Sequence, residues 1–219
     1  QAAFRKEAIA GDFDSFLKLS GIPKRYWELD FDNYIGTKSL KSVEQAKRFV
    51  EVAFERKDVT TNLYLFGERR CQKTMIACAI GKAFLRKGYT VQFAHAGDIG
   101  DMMLKTQGYN KDEKLNTWKQ LLRAADVLII DEAFDINKTI MWANSENKNL
   151  IVADWDRLIR GFISEGKIII AVTNYMKSTI GTNFSKDLYE LVDSEFLTLT
   201  FEDSVKDLRK NQMQDLLES

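Results

Sequence analysis

From Ser42 onward the chain alternates short apolar runs with longer amphipathic ones, and this alternation restricts the fold more than any other feature. Ser42 to Arg56 carries Val43, Ala46, Phe49, Val50, Ala53 and Phe54 at the spacing of one buried helical face. A strand is expected at Asn62 to Phe66, a helix at Thr74 to Lys87 and a strand at Tyr89 to Ala94. Then come a helical stretch with Trp118, Leu121 and Leu122, a strand from Val127 to Ile130 and a helix from Trp155 to Ile163. Strands Ile168 to Val172 and Phe196 to Phe201 complete the series. Parallel strands need crossover connections, and helices used as crossovers cover both faces of the sheet. The expected class is therefore α/β, with a five-stranded, mainly parallel sheet covered by helices.

With 45% hydrophobic and 29% charged positions, 219 residues suffice for one well-buried core. Residues 1–40 read as a lead-in that packs on the core, 41–203 as the core and 204–219 as a short tail. The lead-in holds a helical pattern at Phe13, Phe16, Leu17 and Leu19, the single proline Pro23, and the aromatic group Tyr26, Trp27, Phe31 and Tyr34. The polar, Asn-rich stretch 137–149 is expected to be a mobile loop.

Lys plus Arg equal Asp plus Glu at 32 each, so any nucleic-acid contact must be local and not carried by the whole surface. Cys71 and Cys78 suit neither a zinc site nor a disulfide framework. The apolar runs are strand-sized, far short of the ~20 residues of a membrane span. A cytoplasmic protein without membrane contact is expected.

Three apolar strands end in chemistry-bearing residues. After Asn62 to Phe66, the loop Gly67-Glu68-Arg69-Arg70-Cys71-Gln72 leads to Lys73-Thr74-Met75 at the head of an apolar helix, the context of a Walker A phosphate loop. Inward backbone N–H groups and a helix N-terminus surround anionic phosphates with fixed donors. Lys73 is expected to reach the terminal phosphates and the Thr74 hydroxyl to ligate Mg2+. Gln72 stands where the pattern has its second glycine, so it either weakens binding, reshapes the loop, or is accommodated by a different turn. Arg69 and Arg70 either hold phosphate or a nucleic-acid strand, or are simply solvated.

The run Asp126-Val127-Leu128-Ile129-Ile130-Asp131-Glu132 has the Walker B form. It places Asp131 in the magnesium shell and Glu132 where it can polarise the attacking water. In Ile168-Ile169-Ile170-Ala171-Val172-Thr173-Asn174, the strand ends on Asn174, expected beside those acids because ligands of parallel sheets lie at the carboxyl ends of strands. The catalytic candidates are thus Glu132, Asn174 and Lys73, with ATP or ADP and Mg2+ as cofactors. His95, the one histidine, is expected to pack or lie on the surface.

With these segments placed, residues 20 to 210 resemble the AAA+ helicase loaders of the DnaC and DnaI type and their IstB-like transposition relatives. The resemblance rests on Ser20-Gly21-Ile22-Pro23 to Phe31-Asp32-Asn33-Tyr34, on Tyr64-Leu65-Phe66-Gly67, and on the runs ending at Glu132 and Asn174. It implies a lead-in near the adenine, Asn174 as sensor 1, no full helical lid, a replicative helicase as partner, and a homo-oligomer or hetero-assembly. It implies ATPase activity in DNA replication, in a phage or mobile element, with a non-hydrolysing adaptor or an IstB-like transposition helper as the alternatives. Two positions depart from the family. A helical element at about residues 97–107, which in the family touches single-stranded DNA, offers only Lys105. The stretch Asp193-Ser194-Glu195-Phe196 has Glu195 where an arginine finger is expected, which weighs against efficient hydrolysis.

Overall fold

The computed structural model describes residues 13–55, 61–105, 113–139 and 145–202. Helix α1 (Phe13–Leu19) is followed by two 3-10 turns, Lys24–Tyr26 and Phe31–Asn33, and by α2 (Leu40–Glu55). Then come β1 (Asn62–Gly67), α3 (Lys73–Arg86), β2 (Val91–His95), α4 (Ala96–Lys105), α5 (Glu113–Ala124) and β3 (Val127–Asp131). The chain continues through α6 (Ile136–Thr139), α7 (Ser145–Ser164), β4 (Ile168–Thr173), α8 (Ser178–Asn183), α9 (Lys186–Glu195) and β5 (Phe196–Phe201).

The five strands form one sheet in the order β2-β3-β4-β1-β5, and every pairing is parallel. The expected sheet is thus present, and it is wholly parallel. Side chains alternate across it with period two. Leu63, Leu65, Val127, Ile129, Ile170 and Val172 enter a core with α1, α2 and α3, whereas Tyr64, Leu128, Ile130, Ile169 and Ala171 enter a second core with α4, α7 and α9. Both faces are covered, which explains why the strands read as unbroken apolar runs.

Three boundaries differ from the sequence reading. Residues 137–149 are not one loop: α6 extends through Thr139 and α7 begins at Ser145, with 140–144 outside the described residues. Their Asn content masked a helix whose apolar face, Ile151, Trp155, Leu158 and Ile159, is buried. Tyr89 precedes β2 and closes the C-terminus of α3: its N–H donates to Phe84 O at 3.1 Å around Gly88 at φ 84°. That left-handed glycine closes the helix. Between β4 and β5 the chain forms α8 and α9; Ser185 caps α9 by accepting from Leu188 N–H at 3.1 Å. The tail 204–219 and the presence or absence of a lid lie outside the described residues.

Among the described residues, no helix is long and apolar enough to cross a membrane.

Candidate functional site

The carboxyl ends of β1, β3 and β4 converge because the strand order places β4 between the other two. β1 ends on Gly67, whose φ of 152° lies in a region nearly exclusive to glycine. A Cβ there would stand 2.0 Å from Phe201 O on neighbouring β5. The first glycine of the loop is therefore a packing requirement of the sheet as much as a turn signal.

The loop then turns through two non-glycine residues at positive φ, Arg70 at 70° and Gln72 at 57°. Gln72 keeps the left-handed backbone that a glycine would supply at that position, and its side chain leaves the loop interior. Its Oε1 accepts from Ile35 N–H at 3.0 Å, and its Nε2 lies 3.5 Å from Asn33 O. The loop accommodates Gln72 at this left-handed turn with its side chain directed to the lead-in.

Lys73 opens α3 nearly buried. Its Nζ donates to Gly67 O at 2.9 Å, to Glu68 O at 2.5 Å and to Asn174 Oδ1 at 3.0 Å. Burial pulls the Lys73 amine below its ordinary range, opposed by nearby acidic groups including Asp131 and Glu68. The next residue, Thr74, donates from Oγ1 to Asp131 Oδ1 at 3.1 Å. Burial raises the Asp131 carboxyl above the usual aspartate value, partly offset by the Thr74 hydrogen bond and by His95. Glu132 follows at φ 57°, its N–H donating to Asp131 Oδ1 at 3.1 Å. Lys73, Thr74, Asp131, Glu132 and Asn174 thus line one cleft of about 820 Å³, a size that suits a small-molecule ligand.

The rest of the candidate set divides by side-chain direction. Arg69 and Arg70 are exposed and line the cleft, and among the described residues neither has a carboxylate within ion-pair distance. Cys71 and Met75 also border it, but both side chains are buried in the core beneath α3. Cys71 is fully enclosed, so an exposed redox role does not fit its position.

Residues of the lead-in form the opposite wall: Arg25, Tyr26, Leu29, Asn33 and Ile35. Their individual contribution was not legible from motif spacing; the resemblance alone located the segment near the ligand. Arg25 folds over the Tyr26 ring, its guanidinium carbon 4.7 Å from the ring centre. His95 was also missed. It pairs in register with Asp131 across β2 and β3, and its Nδ1 lies 3.7 Å from Asp131 Oδ2. A histidine ending a strand beside the Walker B strand was the available signal.

The donor set fits the ligand that the motifs imply. Thr74 and Asp131 offer hard oxygen donors side by side, as Mg2+ requires, and a bound cation would offset the cost of burying the Asp131 carboxylate. Lys73, Arg69 and Arg70 supply positive charge on the loop side, where phosphates would lie.

Elsewhere the departures seen in the sequence persist. Glu195 ends α9, and its backbone O accepts from Asn62 Nδ2 at 3.3 Å. On α4, Lys105 lies 3.7 Å from Asp101, and Asp98 stands in the first turn, so this helix has no basic face.

Sheet order, phosphate-loop geometry and the paired acids together define a P-loop ATPase domain of the AAA+ type. The family model described as IstB-like ATP binding protein matches residues 13–138, and the chain belongs to that family of ATP-binding proteins. No curated protein matches it in sequence. Among solved structures it is similar to the DnaC helicase loader, with a TM-score of 0.65 and 18% identity over 82% of this chain and 99% of that one. DnaI gives a TM-score of 0.62 at 14% identity, over 83% of this chain and 95% of that one. AMPPCP-bound DnaA from Aquifex aeolicus gives 0.64 at 16% identity over 90% of this chain, which spans only 56% of the DnaA chain. At such identities these likenesses bear on the fold.

Proposed function

We propose that this protein binds ATP with Mg2+ in the cleft and acts as a loader that engages a replicative helicase. The observation carrying the reading is the convergence of Lys73, Thr74, Asp131, Glu132 and Asn174 at three strand ends, opposite the lead-in wall. In this reading Lys73 binds the terminal phosphates, Thr74 and Asp131 would hold Mg2+, and the backbone of the loop from Gly67 to Gln72, with Met75 supporting it from the core, encloses the phosphates. Glu132 polarises the attacking water, and Asn174 orients that water or the terminal phosphate. The lead-in receives the base.

Hydrolysis to ADP and phosphate needs more. Charge builds on the transferred phosphoryl oxygens, and Glu195 cannot neutralise it. Turnover therefore waits on a cation from another subunit or from the partner, which supports an assembly. Direct contact with single-stranded DNA through α4 has little support from its charges.

Calorimetry of ATP binding to the wild type and to Lys73→Ala tests the site: wild-type binding lost in the variant is expected, and absence of wild-type binding overturns the assignment. Association with the cognate replicative helicase, measured with and without ATP, tests the loader role. No ATP-dependent association would remove it. An IstB-like transposition helper is the second reading, favoured by the family match, and association with a transposase in place of the helicase would establish it.

A further inference from the structure

The segment that walls the cleft opposite the phosphate loop is fastened at one end to α3 and at the other to Gln72, the residue that precedes α3. At the far end, Lys82 is almost fully buried and its Nζ donates to Tyr26 O at 2.8 Å, to Trp27 O at 2.9 Å and to Leu29 O. Arg86 adds an ion pair to Asp30 at 3.2 Å. Between the anchors, the turn Phe31–Asn33 is closed by reciprocal capping: Asp30 accepts from Phe31 N–H, and Asn33 Oδ1 accepts from Asp30 N–H at 2.7 Å. At the near end, Gln72 of the phosphate loop reaches the segment through Ile35 N–H and Asn33 O.

Gln72 is a poor choice if its task is only to turn the backbone. Its φ of 57° and ψ of 16° are left-handed, a conformation disfavoured for an ordinary L-residue and open to glycine. The side chain offsets that cost by reaching a backbone donor 37 positions away. Asn33 and Ile35, which it holds, both line the cleft, as does Gln72 itself.

We infer that Gln72 is a strut joining the phosphate loop to the base-side wall at Asn33 and Ile35, setting affinity for the nucleoside part of the ligand and not for its phosphates. The inference rests on the nucleotide-site reading. Gln72 is a positioning residue: it fixes the wall through which the nucleoside is gripped. Its replacement of glycine is then a gain of coupling, and restoring glycine does not by itself restore turnover.

Gln72→Gly and Gln72→Asn separate the strut from the turn. Both residues accept left-handed backbone, and the asparagine side chain is one methylene too short to keep the span. Binding of ATP, ADP and tripolyphosphate, each with Mg2+, is measured by calorimetry, and exchange of the Ile35 amide is followed in the nucleotide-free protein. In both variants ATP and ADP should weaken about fivefold to tenfold, the loss of one hydrogen bond's worth of positioning. Tripolyphosphate should stay within about twofold, and Ile35 exchange should quicken about fivefold. Equal changes for ATP and tripolyphosphate, or an Ile35 amide that exchanges as in the wild type, would overturn the strut. If the wild type binds no nucleotide while Ile35 exchange still responds, the nucleotide-site reading fails and the mechanical tie stands.

Discussion

The two walls of the cleft are built in opposite ways. The phosphate wall grows out of the sheet: Gly67, Asp131 and Thr173 are the last residues of three strands, and their positions are set by backbone pairing. The base wall has no strand and no long helix. It consists of two 3-10 turns held by Lys82 of α3, which reaches backbone carbonyls, and by Gln72 of the loop, which reaches one amide. One wall is set by strand pairing and carries the buried Lys73 and Asp131; the other hangs on the buried Lys82 and on Gln72. Evenly built walls would grip all parts of a ligand alike, whereas with a nucleotide placed as proposed these would let phosphate and nucleoside affinity be tuned separately.

The largest effect should come from breaking the phosphate wall at its root. Gly67→Ala places a methyl group against Phe201 O and forces a disfavoured φ, so a loss of more than about 3 kcal/mol is expected in denaturant unfolding. Next is the base wall's buried anchor. Lys82→Met leaves the carbonyls of Tyr26, Trp27 and Leu29 without their donor and should cost about 2 to 3 kcal/mol, again by unfolding. ATP affinity should fall with it, and tripolyphosphate affinity should not.

Charge at the phosphate wall predicts the reverse sign. The folded-state pKa of Asp131 is raised, so its contribution to stability is fully present below the ordinary value of 3.8 and is lost as pH rises through the folded value. At neutral pH the buried carboxylate is a cost. Asp131→Asn should therefore stabilise the ligand-free protein by about 1 kcal/mol at pH 7, while Mg2+-dependent ATP binding disappears. Thermal unfolding at pH 7 and pH 4 checks this, the variant's advantage shrinking at the lower pH. The smallest expected change in stability is that of Lys73→Met, within about 1 kcal/mol, because lost hydrogen bonds are offset by removal of a buried charge. A large destabilisation would make Lys73 a structural anchor like Lys82.

The contrast between the walls also explains what could be read in the sequence. The strands, the sheet and the phosphate wall were legible because strand runs and P-loop spacing are local: Gly67 to Thr74 is one continuous stretch, as is Asp126 to Glu132. The ties of the base wall are not local. Nothing near Lys82 announces that it will meet Tyr26 and Leu29, since a lysine in a helix is ordinarily solvated. Gln72 was visible only as a missing glycine; its partner Ile35 is found by tertiary packing. Likewise His95 meets Asp131 through strand register, which the order of the chain does not disclose. The Asn-rich stretch before Leu150 misled because composition suggested a loop where a buried apolar face decided for helix.

The sheet order carries a consequence for how the chain is made. Among the described residues β1, with the phosphate loop at its tip, pairs only with β4 and β5, which leave a ribosome after β2 and β3, while β2 and β3 can pair with each other earlier. During synthesis the segment from Asn62 to Thr74 must wait, its strand edges open, until residues as late as Phe201 have emerged. The ligand-binding half is thus completed only after β5 has emerged. A nascent chain halted before β4 should hold a paired β2 and β3 and no nucleotide site at all.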